Sequence, residues 1–175
     1  MNKPIKKLIV AVSLLLITSC STPATTTNTN EIKSGTKVEV KYIVDFYPKL
    51  KQGVKYVYLT REKKGLAQVL TRSEYQVTEV NENKIKVTSL TDNADQKVLE
   101  IDTNVPPLLP AKDILYEGQE LLIVTAGSYI TKHFSYIKDN SRFNIWLSKD
   151  VGIIKFTELK NSGDSIITEL NEFRS

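Results

Sequence analysis

The sequence has one cysteine, Cys20, and one histidine, His133. Because no second cysteine is present, no internal disulfide can form, and the folded part of the chain must be stabilised by burial and backbone hydrogen bonds. A structural zinc site is excluded as well, since such sites use four cysteine or histidine ligands. No serine lies in a motif that would pair with His133 for catalysis, and no glycine-rich phosphate loop is present. We therefore expect no cofactor and no metal, and His133 in an ordinary strand position.

The chain also lacks an excess of positive or negative charge once residues 1–19 are set aside. The chain carries 24 lysines and arginines against 20 aspartates and glutamates, a formal net charge of +4. Residues 1–19 contribute Lys3, Lys6 and Lys7 and no acid, which leaves 21 basic against 20 acidic side chains. A near-neutral balance gives no electrostatic footprint for a nucleic acid, so no nucleic-acid partner is expected.

Long hydrophobic runs are missing too, apart from one near the start. Three lysines precede an apolar run from Leu8 to Ile17, and small residues follow it up to Cys20. These are the three regions of a secretory signal peptide. An uncleaved membrane anchor is the alternative interpretation. The run is shorter than the roughly 20 apolar residues that a membrane-spanning helix needs, which favours the signal peptide. The pattern predicts a signal peptide over residues 1–19 and an exported protein.

The four residues Ile17-Thr18-Ser19-Cys20 resemble the bacterial lipobox, in which an aliphatic residue and two small ones precede a cysteine. The resemblance implies that the sulfur of Cys20 is lipidated, that the attached chains include palmitate, and that Cys20 becomes the first residue of the mature protein. A free thiol or an intermolecular disulfide is the alternative for a lone cysteine in an exported chain. Ser21, rather than an aspartate, follows Cys20, which by analogy with lipoprotein sorting favours the outer membrane in a cell that has one, and otherwise the cell membrane.

The segment after Cys20 is dominated by threonine, and between Ser21 and Asn30 it has no charged or large apolar side chain. Such a segment cannot bury enough surface to offset the entropy of ordering it. We expect a flexible, lipidated tether over residues 20–36, with an average span of about 20 Å. Residues 37–175 remain for one globular domain, which is long enough to bury a single core.

The domain shows no sustained helical period and consists instead of short strand patterns separated by polar turns. Lys37 to Val44 alternates as a strand does, with Ile43 as the exception. Arg61 to Gly65 is predicted to be a polar loop, and the apolar residues of Ala67 to Val80 change face, which predicts a bulge. The predicted fold is all-β: a single antiparallel meander of about ten strands that forms a sandwich or a strongly curved, partly open barrel, with no major helix.

One stretch breaks this pattern. Residues Thr103 to Gln119 contain Pro106, Pro107 and Pro110, which disfavour a regular helix or a central strand. The apolar residues of the stretch must still pack against another part of the domain. The segment either plugs an open end of the sheet or forms a flap over a ligand cavity, because long loops are often functional.

Five aromatic side chains lie between residues 129 and 146. Residues of this kind in a hairpin most often pack in the core, but they could also stack on a sugar or enclose a lipid. We take four of them as a candidate ligand or partner surface: Tyr129, Phe134, Tyr136 and Trp146.

Two motifs are similar to those of exported bacterial lipoproteins of undefined function. The segment from Phe46 to Tyr58, FYPKLKQGVKYVY, resembles their opening YfPLkxGxxWxY, and the segment from Trp146 to Phe156, WLSKDVGIIKF, resembles their closing W-(x)4-VGxVKY. The resemblance covers most of residues 38–173. It implies a β-rich fold without an established enzymatic activity, and it offers no site residues to carry over. In physical terms, Gly152 of the closing motif would allow a close approach of the backbone.

Two classes of function remain open. The first is a non-catalytic envelope lipoprotein, anchored to the membrane by its N-terminal lipid, that binds a protein partner or contributes structurally. The second is a carrier or sensor that holds a lipid-like apolar ligand in a β cavity beneath the loop of residues 103–119. We favour the first, because the sequence contains no catalytic constellation and the tether is its most specific feature. The protein is therefore expected not to be an enzyme.

Overall fold

Ten antiparallel strands form one sheet in a computed structural model of the protein. The structure describes residues 32–44, 46–47, 50–81, 84–92, 96–102, 113–149 and 151–175. The predicted signal peptide, Cys20 and the first part of the predicted tether lie outside the described residues. Within them, the one helix has five residues, so the prediction of an all-β meander of about ten strands without a major helix is confirmed.

Most strands follow one another as hairpins. In the sheet their order is β1-β6-β7-β8-β9-β10-β2-β3-β4-β5, so that the last strand joins two meanders, β6 to β9 and β2 to β5. The elements in chain order are β1 (Thr36–Val38), α1 (Val40–Val44), β2 (Lys55–Lys64), β3 (Ala67–Val80), β4 (Lys84–Thr91), β5 (Lys97–Asp102), β6 (Ile114–Val124), β7 (Gly127–Lys138), β8 (Ser141–Ser148), β9 (Gly152–Lys160) and β10 (Ser165–Arg174).

A tight turn fixes the register between β7 and β8. Asp139 and Asn140 have φ angles of 49° and 60°. Both lie in the left-handed region that a two-residue hairpin turn requires and that Asp and Asn tolerate. Because the loop has two residues, Lys138 pairs with Ser141, and this pairing sets every other pair along the two strands.

The sheet is strongly curved. Leu122, Val124 and Tyr129 of β6 and β7 pack against a buried group drawn from β2 to β4, β9 and β10, and β6 contacts β10 although three strands separate the two in the sheet. This contact is possible only if the sheet bends back on itself. Within the described residues, the terminal strands β1 and β5 are not paired with each other, so the sheet remains open.

Two groups of buried residues form the interior. The first, here called the β2–β4 core, combines residues of β2, β3 and β4 with residues of β9, β10 and two turns, and the second, the α1 core, is built from α1, β1 and β6 to β8. The members of the β2–β4 core are Val54, Tyr56, Val77, Ile85, Val87, Val151, Ile154 and Leu170, and those of the α1 core are Val38, Ile43, Ile114, Tyr116, Phe134, Ile145 and Leu147.

The predicted strand from Lys37 to Val44 is wrong in its second half, where α1 is found instead. Ile43, the residue that broke the alternation, is fully buried in the α1 core. In a helix Ile43 lies three positions after Val40, on the same face, and Val40 packs against the same core. Burial of this face outweighs the weak helix propensity of β-branched residues, which is a tertiary effect that a short alternating pattern cannot reveal.

Two loop predictions are also wrong in part. Strand β2 continues through Arg61 to Lys64, and the turn lies at Gly65 and Leu66, because the charged residues pair with β3 on one side and with β10 on the other. The predicted loop over residues 103–119 ends earlier than expected, since β6 begins at the fully buried Ile114. The prolines restrict only their own neighbourhood. Residues 103–112 lie outside the described part of the chain, and so does any flap or cavity that they would form.

The predicted bulge in β3 is confirmed. The register between β3 and β4 shifts between Val77 and Glu79, so Thr78 is the extra residue. Val77 is buried and pairs with the equally buried Val87, whereas Val80 pairs with Ile85. The shift therefore lets apolar residues from both halves of β3 reach partners on β4.

Gly152 begins β9 with a φ of 93°, a conformation that residues with a Cβ atom rarely adopt. We expect Gly152→Val to lower the free energy of unfolding by about 1–3 kcal/mol, because valine must either accept this strained backbone or shift the β8–β9 turn. Urea denaturation of the purified domain measures the change. Ile153→Val is the matched control, with an expected loss below about 1.5 kcal/mol. Equal stability of Gly152→Val and the parent chain would contradict a conformational role for this glycine.

Candidate partner surface

The four aromatic residues predicted to form one surface are divided between the two faces of the sheet. Pairing across the Asp139–Asn140 turn places His133 opposite Trp146 and Phe134 opposite Ile145. Successive residues of a strand point to opposite faces, and paired residues share a face. Tyr129 therefore lies on the face of Trp146, whereas Phe134 and Tyr136 lie on the face that α1 covers.

Phe134 belongs to the α1 core and has no exposed surface. Its ring contacts the rings of Tyr42, Phe46 and Tyr116, with centroid separations of 6.4, 6.3 and 5.6 Å. The tilted and edge-on arrangements are those that aromatic rings favour in protein interiors. Phe134 thus stabilises the packing of α1 on the sheet and offers nothing to a ligand at the surface.

Tyr136 and Tyr129 are also held by the fold. Tyr136 is buried and stacks on Phe143 at 4.9 Å. Burial raises the pKa of Tyr136 above its ordinary value, and the nearby carboxylate of Glu158 adds to this effect. Tyr129 packs against the β2–β4 core and donates its hydroxyl hydrogen to the carbonyl of Ala126 at 3.1 Å. Trp146 therefore remains as the candidate of the four, because it is partly exposed and the side chains around it are polar.

Trp146 is half-buried at the centre of a cluster supplied by the neighbouring strands. Its indole Nε1 donates to Glu120 Oε1 at 2.6 Å. The His133 ring, from β7, stacks on the indole with a centroid separation of 4.2 Å and an interplanar angle of 11°. The Lys155 ammonium, from β9, lies 5.6 Å from the indole centroid, which is within cation–π distance. We call these residues the Trp146 cluster: Trp146, Glu120, His133 and Lys155.

His133 makes contacts through both ring nitrogens. Nε2 is 3.2 Å from Asn144 Oδ1, and Nδ1 is 3.6 Å from Glu120 Oε1. Asn144 is buried and donates through its amide nitrogen to the Thr157 hydroxyl at 3.1 Å. The adjacent serine, Ser135, donates its hydroxyl hydrogen to a carboxylate oxygen of Glu117 at 2.5 Å, not to the histidine. This arrangement fixes the imidazole against Trp146 and does not pair it with a nucleophile.

Ion pairs flank the Trp146 cluster on both sides. Lys155 pairs with Glu169 of β10 at 2.8 Å, and Arg142 pairs with Glu117 of β6 at 3.1 Å. Both pairs are partly exposed, so each contributes at most about 1 kcal/mol to stability. Their main effect is on the surface itself, because acidic and basic groups alternate around the indole and give no strong field of one sign.

A second feature lies at the end of the hairpin formed by β6 and β7. Leu121, Ile123 and Ile130 are 63%, 73% and 66% exposed. Leu121 pairs with Ile130, and Ile123 follows Leu121 by two positions, so the three side chains share one face. That face is opposite to the one that carries Trp146. We call these residues the hairpin patch: Leu121, Ile123 and Ile130.

The described residues contain no group of three or more His, Cys, Asp or Glu side chains that could hold a metal ion. Among the same residues, no helix is long and apolar enough to cross a membrane. A small cleft of about 70 Å³ is lined by residues of β2, β3 and β10 and by Thr125 of the β6–β7 turn, with Leu59, Leu70 and Ile167 among the lining residues. Its volume is well below the roughly 300 Å³ of small-molecule sites, so this cleft does not serve an apolar ligand of lipid size.

Part of the Trp146 cluster has a signal in the local sequence. A two-residue turn at Asp139 and Asn140 pairs Lys138 with Ser141, and each step back along β7 is then matched by one step forward along β8. This rule alone places His133 opposite Trp146. Glu120 and Lys155 require the registers of β6 and β9, which contain bulges. The hairpin patch has a signal as well, since no charged residue occurs from Leu121 to Thr131.

No protein-family model matches the sequence, and no curated protein matches it. Solved structures do match. A protein from Bacteroides fragilis, described as exported and as having a YmcC-like fold, aligns with a TM-score of 0.50 and 12% identity over 74% of this chain and 99% of that chain. A Parabacteroides distasonis protein, described as a lipoprotein, aligns with a TM-score of 0.49 and 12% identity over 74% and 98%.

A chain of the Pseudomonas aeruginosa MucA and MucB complex aligns more weakly, with a TM-score of 0.38 and 7% identity. The alignment covers 75% of this chain and 53% of that chain, so the similarity extends over about half of the larger protein. At these identities the comparisons concern the fold alone. The domain is similar in fold to the Bacteroides fragilis protein described as exported.

Proposed function

We propose that this chain is a lipid-anchored protein of the bacterial envelope, and that its globular domain binds a protein partner through the Trp146 cluster and catalyses no reaction. The proposed anchor is the acylated Cys20. The proposed location is the outer membrane in a cell that has two membranes, because Ser21 follows the cysteine. The observation that carries the proposed binding role is the fixed geometry around Trp146.

Trp146 has the properties of a binding hot spot. Tryptophan is enriched among the residues that dominate protein interfaces. The hydrogen bond to Glu120, the stacked His133 and the nearby Lys155 hold the indole in one orientation. A side chain that is already ordered loses little entropy when it binds. The flanking ion pairs would then form the polar rim that surrounds such hot spots.

The same contacts argue against two other roles for this surface. A sugar that stacks on the indole would have to displace His133 or Lys155, since both lie against the ring. Acid–base catalysis needs a histidine nitrogen that can reach a substrate or a nucleophile, whereas both nitrogens of His133 face Asn144 and Glu120. Recognition of a partner surface requires neither change.

The proposed location rests on the sequence and is compatible with the fold. The signal-peptide pattern, the lipobox resemblance and the threonine-rich segment all precede the first described residue, Ile32. A fold shared with a protein that is described as exported agrees with an envelope protein. The near-neutral charge of the mature chain is also in keeping with a protein partner rather than a nucleic acid.

Cross-linking in intact cells tests the proposed binding surface. We expect Trp146→Ala to reduce the yield of the cross-linked partner complex by tenfold or more, since loss of a hot-spot side chain costs about 2 kcal/mol or more in binding. Leu90→Ala is the matched control, because Leu90 is an exposed apolar residue of β4, away from the cluster. Its yield should equal that of the parent chain.

The two variants are compared at equal abundance and after their thermal unfolding has been measured. A partner that is captured equally well by Trp146→Ala and by the parent chain would place the binding surface elsewhere. Trp146→Phe provides a finer test, because it keeps an aromatic ring but removes the N–H group that bonds Glu120. We expect its yield to lie between those of the parent chain and Trp146→Ala.

A further inference from the structure

The hairpin of β6 and β7 has two apolar sides and no charge at its end. Leu122, Val124 and Tyr129 on one side pack against the β2–β4 core. The hairpin patch, on the other side, is exposed to solvent. No charged residue occurs from Leu121 to Thr131. The segment itself therefore brings no ionised group with it when it leaves water, although Thr125 at its turn lines a small pocket with Arg61 and Glu169.

A second group of exposed apolar side chains has a different setting. Leu66, Val69 and Leu70 belong to the hairpin of β2 and β3. That hairpin also carries the four successive charged residues Arg61 to Lys64. Burial of its end would desolvate several charges, which is costly unless each one finds a partner. The hairpin patch is free of this penalty.

The chain enters the domain beside β6, the strand that carries two of the three patch residues. Ile32 packs against the α1 core, on the same face as the patch. The following turn lies against β6, where the Gly35 amide donates to the Tyr116 carbonyl at 2.7 Å and the Ser34 hydroxyl donates to the Glu117 carbonyl at 2.6 Å. Leu121 lies four residues beyond Glu117 along β6, which is a distance of about 14 Å.

The number of residues between Cys20 and the domain limits how far the domain can lie from a lipid anchor. Twelve peptide steps separate Cys20 from Ile32. A chain of this length spans at most about 40 Å when fully extended. If Cys20 is acylated, as the proposed function requires, the hairpin is held within reach of the bilayer. A weak contact then becomes effective, because the anchor raises the local concentration of lipid.

We propose that the hairpin patch lies against the lipid bilayer to which Cys20 is anchored. The patch is aliphatic and too small for an independent protein interface, which buries about 800 Å² on each partner. It also lacks the aromatic and arginine side chains that dominate such interfaces. As an addition to a lipid anchor, even a small apolar patch contributes, because membrane binding strengthens with the apolar area that is buried. The contact would turn the Trp146 cluster, on the opposite face of β6 and β7, away from the lipid.

Depth-dependent fluorescence on the full, acylated chain tests this inference. Ser128 pairs with Ile123 and is exposed on the patch face, so Ser128→Cys gives a labelling site there. Acylation blocks Cys20, which leaves one thiol for an environment-sensitive dye. The matched control is Ile137→Cys, on the same strand but on the opposite face, where Ile137 is 77% exposed. The protein is reconstituted into vesicles of phosphatidylethanolamine and phosphatidylglycerol with spin labels on the acyl chains.

We expect the dye at position 128 to be quenched several-fold more strongly by the spin-labelled lipid than the dye at position 137, and to shift its emission to the blue only when vesicles are present. Equal, water-like emission at both positions in an acylated, vesicle-bound protein would overturn the inference. A blue-shifted dye at position 128 without vesicles would overturn it as well, because the patch would then be covered by a second copy, a partner or another segment of this chain. Mass spectrometry separates the two proposals: an unacylated Cys20 would overturn the anchor itself, and with it the bilayer contact.

Discussion

Replacing Phe134 with alanine is expected to lower the free energy of unfolding by about 3–5 kcal/mol. The side chain is fully buried, and its ring contacts three other aromatic rings, two of them from α1 and the residues that follow it. Truncation removes the apolar contacts and leaves a cavity that the surrounding strands cannot fill, because β-sheet pairing holds them in place. A loss of this size is a large part of the stability of a domain of this length.

Urea denaturation of the parent chain and two variants measures the effect. Phe134→Leu keeps most of the buried volume and should lose much less stability than Phe134→Ala. Trp146→Ala is the control on the other face of the same hairpin, and it should also lose less, because the indole is half-exposed. If Phe134→Ala unfolded at the same urea concentration as Trp146→Ala, the assignment of Phe134 to the interior would be untenable.

Replacing Cys20 with alanine is expected to abolish the incorporation of labelled palmitate and to leave a precursor that still carries residues 1–19. Both effects follow from the lipobox, in which the cysteine is the acylated residue. Each CH₂ group of an acyl chain contributes about 0.8 kcal/mol to membrane binding, so two or more chains anchor a protein stably, whereas the uncleaved segment is too short to replace a membrane-spanning helix.

Metabolic labelling followed by gel electrophoresis and mass spectrometry of the N-terminal peptide provides the measurement. Ser21→Asp is the matched control, because it leaves the cysteine unchanged and should remain fully labelled. In a cell with two membranes, this variant should also move from the outer to the inner membrane. Labelled palmitate in Cys20→Ala, or a parent protein that is recovered unacylated in the soluble fraction, would refute the proposed anchor.

Sequence reasoning is most successful where one local rule decides the structure. Alternating polar and apolar residues predict the strands, and turn residues such as Asp139 and Asn140 predict where they end. A two-residue turn also fixes the register of the strands that it joins. For β7 and β8, this register places Phe134 and Trp146 on opposite faces and brings His133 to Trp146, so this part of the cluster follows from the sequence alone.

The predictions differ from the structure where contacts with distant parts of the chain determine the local conformation. Val40 to Val44 has a pattern that fits a short strand, but Ile43 is buried by residues of β6 to β8, far along the chain. The bulge of β6, near Glu117, places that carboxylate beside Ser135 and Arg142. Gly118, whose φ is 141°, marks this bulge in the local sequence, but it does not show which side chains the bulge brings together. The Trp146 cluster combines four strands in this way, so its composition cannot be derived from any single hairpin.

The position of β10 has a consequence for the order in which the protein can fold. Its residues Ser165 to Arg174 pair with β9 on one side and with β2 on the other. Before they are available, the meander of β6 to β9 and the meander of β2 to β5 have no strand between them. Contacts between segments so far apart in sequence form slowly. A chain that emerges N-terminus first across a membrane would therefore hold two incomplete half-sheets until residues 165–174 arrive, and only then could the complete sheet assemble.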